Sequence, residues 1–233
     1  MTCIISMYYD NGKGALVISD SLYDIIDHNY SQIQKVFSLD FGVVFAAAGY
    51  MGIRDKLIEK VIKTIRVKKE IEYSDIIDIF EDKMADLYNR YKNSEQTRFD
   101  DKEVLLTGVI GFLEDNIPNL YCLHEDGYSW KVNDFYVVGR GSEYGVGILK
   151  NLYTPDISFK QALNLGIYTL LEVAKVDLFV DTSPQICVLH DEEIVLQNNL
   201  SGKFLFDLPG LQAKKQLIKE INEIQRKTFY DEI

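Results

Sequence analysis

The sequence predicts an α+β fold in which two antiparallel sheets face each other and helices cover their outer sides. Three observations carry this. Strand-like runs come in hairpin pairs joined by turn residues, helical periodicity comes in adjacent pairs between those hairpins, and the strands VVFAAAG and LLTGVIG are apolar without a break. Paired helices between hairpins do not follow the strand, helix, strand rhythm of a doubly wound parallel sheet. Continuous apolar strands fit burial on both faces, as a sheet between a second sheet and a helix layer requires.

The elements follow in order. TCIISMYY and ALVISD flank the turn residues DNGKG and form a first hairpin. A polar stretch with a few isoleucines follows, and KVFSLDFGVVFAAAG gives a second hairpin around LDFG. In MGIRDKLIEKVIKTIRVKK, Ile53, Leu57, Ile58, Val61, Ile62 and Ile65 recur at helical spacing. SDIIDIFEDKMADLYNRY repeats the pattern, with Ser74 or Asp75 as the expected cap. EVLLTGVIGF, PNLYCLHED, YSWKV and DFYVVG form a second strand group. VGILKNLY and SFKQALNLGIYTLLEVAKV then read as two further helices, QICVLHDEEIVLQ as a closing hairpin, and residues 210 to 228 as a terminal helix.

Composition narrows the function. A net charge of -11, from 36 acidic and 25 basic residues, argues against a nucleic-acid or anionic-membrane surface. No basic segment leads into an apolar signal, and no run reaches the length needed to span a bilayer, so a soluble, cytoplasmic protein is expected. Cys3, Cys122 and Cys187 lie in apolar runs with no C-x-x-C spacing and read as core thiols. GRGS lacks the Lys-Ser or Lys-Thr ending of a phosphate loop, and DNGKG is turn chemistry. His28, His124 and His190 have no ligand-like spacing, so no metal or other cofactor is expected.

What remains is the first hairpin. With its turn near residues 11 to 14, positions on opposite arms sum to about 22 to 25, which brings Thr2 to the neighbourhood of Asp20. Cys3 should then point to the opposite face, into the core. Lys35 opens an apolar strand; on its own it reads as an exposed edge charge, unless it sits at the strand end or is paired.

TCIISMYY, GALVISDSLYD, QKVF and VVFAAAGYMGIRD, followed by DFYVVGRGSEYGVGILKNLY and SFKQALNLGIYTLLEVAKVD, resemble a proteasome beta-type subunit, a member of the N-terminal nucleophile hydrolases. The likeness covers about residues 2 to 195 in the family's order. It implies a four-layer αββα sandwich, here one domain over 1–233 with 198–233 as a C-terminal extension. It also implies a threonine protease whose nucleophile matches Thr2, exposed when Met1 is removed. In this likeness Lys35 matches the lysine beside the nucleophile and Asp20 the carboxylate that pairs with it. Gly49 matches the glycine whose N–H binds the oxyanion, and Ala47 lines the base of the main specificity pocket, favouring larger apolar residues.

The chain departs from the family at two places. Arg140 stands where a serine is common near the terminal amine, and Val180 stands where a second serine follows the later aspartate, matched here by Asp177; Thr182 or Ser183 substitutes if a small insertion shifts the alignment. The resemblance implies unfolded protein or peptide substrates and a homo-oligomeric ring, with related subunits or a regulatory ATPase as further partners and no nucleic acid or membrane. Two other classes stand beside the peptidase: a catalytically silent structural subunit, and an amidase of the same superfamily acting on small amides.

Overall fold

The computed structural model describes residues 2–25, 29–39, 42–68, 71–92, 106–191 and 193–197. The expected terminal helix and the extension from 198 lie outside the described residues, as does Met1. Strands β1 (Cys3–Tyr9) and β2 (Gly14–Ser19) are joined by a 3-10 turn at Asp10–Gly12, where Asp10, Asn11 and Gly12 all take positive φ. Small polar residues and glycine tolerate that conformation, which is why DNG sits there. A short hairpin, β3 (Leu22–Ile25) and β4 (Asn29–Gln32), follows in the polar stretch.

Strands β5 (Val36–Leu39) and β6 (Val43–Gly49) precede helices α1 (Met51–Val67) and α2 (Tyr73–Lys92). Helix α2 starts at Tyr73, ahead of the expected cap at Ser74 or Asp75; Asp75 lies in its first turn and accepts the Glu72 N–H. Then come β7 (Leu106–Glu114), β8 (Ile117–Leu123), β9 (Ser129–Lys131) and β10 (Phe135–Gly139). Helices α3 (Ser142–Leu152) and α4 (Phe159–Val176) lead into β11 (Gln185–His190) and β12 (Glu193–Gln197). Helix α4 starts with a reciprocal capping box between Ser158 and Gln161.

The first sheet runs β10-β1-β2-β11-β12 and the second runs β5-β6-β7-β8-β9, every pairing antiparallel. Side-chain alternation separates three apolar layers. Cys3, Ile5, Met7 and Tyr9 of β1 pack with Leu163, Leu170 and Val173 of α4. Ile4 and Tyr8, on the other face of β1, meet Val44, Ala46 and Ala48 of β6 between the sheets. Val43, Phe45 and Ala47 of β6 pack under α1 and α2. The layers are therefore α3/α4, first sheet, second sheet, α1/α2, an αββα sandwich as the sequence predicts. Both sheets are buried on two faces, and that accounts for the unbroken apolar runs in β6 and β7.

Candidate active site

The β1–β2 ladder pairs Ile4 with Ser19, and its open end carries the candidate residues. One step further, the Cys3 N–H donates to Asp20 Oδ1 at 2.9 Å and the Asp20 N–H donates to the Cys3 carbonyl at 3.3 Å. Thr2 is 5% exposed, and its carbonyl accepts the Arg140 N–H at 2.8 Å. The neighbouring Gly139 has φ +93°, and a side chain there would collide with the Thr2 carbonyl. Glycine at 139 is what allows β10 to run so close to the chain start.

Lys35 is 1% exposed and reaches Asp20 Oδ2 at 2.7 Å. The edge-charge reading of Lys35 fails, because this cation is enclosed together with its partner. Asp20 Oδ2 also accepts the Leu22 N–H at 3.2 Å, so three donors converge on one carboxylate. Burial pushes the Asp20 carboxyl up and the Lys35 ammonium down, and their ion pair opposes both shifts. Asp181 adds a second negative charge to this region. It is held by the Ser21 N–H at 3.1 Å, the Ser21 hydroxyl at 3.0 Å and the Ser183 N–H at 3.0 Å.

Cys3 behaves differently from its neighbour. Its thiol is fully buried on the α4 side of the sheet, and burial, with Asp20 adding to it, pushes its pKa up to about 12. A thiol so seldom ionised is a core group and a poor nucleophile.

Gly49 ends β6 with φ +134°, a conformation that side chains avoid, and is exposed. Its neighbours Ala48 and Ala47 are nearly buried on opposite faces, Ala48 between the sheets and Ala47 beneath α1 and α2. The Lys35 carbonyl accepts the Ala47 N–H at 3.4 Å, so the lysine and the β6 end lie side by side.

Arg140 and Asp177, distant in sequence, come together. Arg140 Nε lies 3.0 Å from Asp177 Oδ2, and the guanidinium stacks 4.5 Å above the Phe179 ring. Asp177 caps the C-terminus of α4, where the helix dipole disfavours an anion, and the arginine offsets that cost. Its other oxygen accepts the Phe179 N–H at 2.9 Å. Val180 is buried in the α4-side core and brings no hydroxyl to this corner. Asp20, with Lys35, thus meets the Thr2–Cys3 peptide at the Cys3 N–H and Arg140 meets it at the Thr2 carbonyl, and Asp177 joins through Arg140.

Sequence reasoning missed Asp181 and Gln185. Asp181 was only the end of VDLFVD, and Gln185 only the first letter of an apolar strand. A polar residue opening such a strand was the available signal, since Gln185 is wholly buried. Among the described residues no group of three or more His, Cys, Asp or Glu is placed to hold a metal ion.

The family model described as "Proteasome subunit" matches residues 2–189. A proteasome subunit beta from Haloquadratum walsbyi is 24% identical over 86 residues, which is 37% of this chain and 35% of that protein. The match spans about a third of that relative's length. With the αββα sandwich and the family match over most of its length, the chain belongs to the proteasome subunit family, within the N-terminal nucleophile hydrolases, and resembles its beta-type members.

Proposed function

We propose that this chain is a threonine-type peptidase in which the Thr2 hydroxyl is the nucleophile and the Thr2 α-amine, freed by removal of Met1, is the base. One observation carries the reading. The buried carboxylate of Asp20 grips the Cys3 N–H with one oxygen and the Lys35 ammonium with the other, so a cation is fixed close to the Thr2–Cys3 peptide. Surface lysines need no such arrangement, and a buried charge pair is costly to assemble without a use.

The chemistry follows from the groups. A free α-amine titrates near 8, about two pH units or more below a lysine side chain, and can take a proton at neutral pH, which an amide nitrogen cannot. The Thr2 Oγ attacks the peptide carbonyl carbon, and its proton passes to the α-amine, directly or through a water. The carbonyl oxygen gains the negative charge, and the Gly49 N–H is the donor for it. Collapse of the tetrahedral intermediate breaks the C–N bond, and the departing amine takes the proton. Water then hydrolyses the Thr2 ester. Throughout, the Lys35 ammonium favours the alkoxide and lowers the proton affinity of the α-amine, while Asp20 keeps the lysine charged. The family likeness puts Ala47 at the base of the pocket for a large apolar side chain of the substrate, and that role belongs to the proposal.

Ring assembly, peptide or unfolded-protein substrates and a cytoplasmic setting belong to the same proposal, as does a single domain over 1–233. Two observations favour the silent-subunit reading instead: Arg140 ties up Asp177, and Val180 supplies no hydroxyl, so the amine has fewer groups to orient it. Turnover of fluorogenic peptides decides between them. Thr2→Ala is expected to abolish hydrolysis with assembly intact, and Cys3→Ala to cost little. Turnover retained by Thr2→Ala removes the nucleophile assignment.

A further inference from the structure

We infer that Gln185 is the positioning residue that holds the Lys35 main chain against Asp20, an inference that rests on the peptidase reading above. Asp20 follows the last residue of β2 in the first sheet, whereas Lys35 immediately precedes β5, the edge strand of the second. Their 2.7 Å contact therefore spans two sheets. A flexible four-carbon stem does not hold such a contact unless its main chain is fixed.

Gln185 supplies that fixing. It opens β11, and its backbone pairs with Ser19, the residue before Asp20, so it is registered to the carboxylate's own strand. Its side chain crosses to the second sheet, where Oε1 accepts the Lys35 N–H at 2.7 Å and the Val36 N–H at 3.2 Å. Nε2 donates to the Ile33 carbonyl. One amide thus grips the main chain on both sides of Lys35, with 0% of its surface exposed.

The residue type follows from the demand. Two N–H groups and one carbonyl must be met by a single head carrying both an acceptor and a donor, which a neutral amide does and a carboxylate does not. A carboxylate would also add a third negative charge beside Asp20 and Asp181. Asparagine is one methylene short of the span.

Two substitutions and one exchange measurement test this. Gln185→Met keeps the side chain's length and removes every hydrogen bond; Gln185→Glu keeps the two acceptor bonds and loses the donor to Ile33. Displacement of a catalytic group by about 1 Å costs on the order of 100-fold in rate. We expect kcat to fall 10- to 100-fold in Gln185→Met with KM within twofold, and Gln185→Glu to recover part of that loss. A purely structural role would lower the melting temperature and leave kcat of the surviving assembly unchanged, and that result would overturn the inference. Hydrogen exchange of the wild-type peptide containing Lys35 and Val36, followed by mass spectrometry, needs neither folded variants nor activity. Slow exchange at both amides supports the clamp, and exchange as fast as an open edge overturns it. If wild-type protein shows no turnover, the peptidase reading falls by itself and the exchange result alone decides for or against Gln185.

Discussion

Replacing Asp20 by Asn removes one charge from a buried pair and leaves the shape nearly unchanged. The side chains of Asp20 and Lys35 are 0% and 1% exposed, so solvent cannot screen the ammonium that remains. Breaking a buried pair in this way typically costs about 3–5 kcal/mol. The lysine sets its own ceiling, because it can release its proton instead. From an ordinary value of 10.5 to pH 7 is about 3.5 pH units, and at about 1.36 kcal/mol each the part of the cost due to an unpaired ammonium is at most about 4.8 kcal/mol. At pH 9 the same ceiling falls to about 2 kcal/mol. The sign is fixed: the variant's folded state binds fewer protons at Lys35 than its unfolded state, so its stability rises with pH relative to wild type until Lys35 is neutral in both states. Urea unfolding of Asp20→Asn and wild type at pH 7 and pH 9 reads this directly, and Asp20→Asn combined with Lys35→Met should regain most of the loss. A destabilisation below about 1 kcal/mol, equal at both pH values, would refute the buried charge pair.

Lys35→Ala is expected to lower peptide turnover by two orders of magnitude or more, the effect of deleting one preorganised donor worth roughly 2.7 to 4 kcal/mol. Lys35→Arg should fail as well, because a planar fork does not fit the space of a compact ammonium; normal rates in both variants would return Lys35 to a structural charge. In alkali, burial holds the thiols of Cys3 and Cys122 up at about 12 and about 11 against an ordinary 9.0. The folded state therefore keeps protons that the unfolded state releases, and stability is present in full below pH 9 and falls as pH rises towards those values, by up to about 1.4 kcal/mol per pH unit for each thiol. Urea midpoints measured from pH 8 to 11 should drop accordingly and drop less steeply in Cys3→Ala; a flat profile would contradict the burial of these groups.

Local chemistry made part of this molecule legible in its sequence. DNGKG fixed the turn of the first hairpin, and a fixed turn sets the register, so Asp20 could be placed beside the chain start by counting. Cys3 followed from alternation alone. Long-range pairing was not readable in the same way. DFYVVG follows β9 in sequence yet pairs with β1 in the other sheet, a choice made by tertiary packing. The β3–β4 hairpin lies in a polar stretch with little apolar alternation to reveal it. Lys35 looked like an edge charge because its burial depends on a carboxylate from another sheet, and Gln185 was silent because its three partners are backbone groups, which leave no mark in a sequence.

The central claim concerns one nitrogen atom. With Met1 attached, Thr2 N is a planar amide whose lone pair is delocalised; with Met1 removed, it is a titratable base. Intact-mass measurement of protein from its native host, with and without an electrophilic threonine-directed probe, distinguishes the two. The peptidase account predicts a mass lacking one methionine and a single adduct mapping to Thr2. A uniform mass that retains Met1, with no adduct, would contradict it and leave the silent-subunit reading in its place.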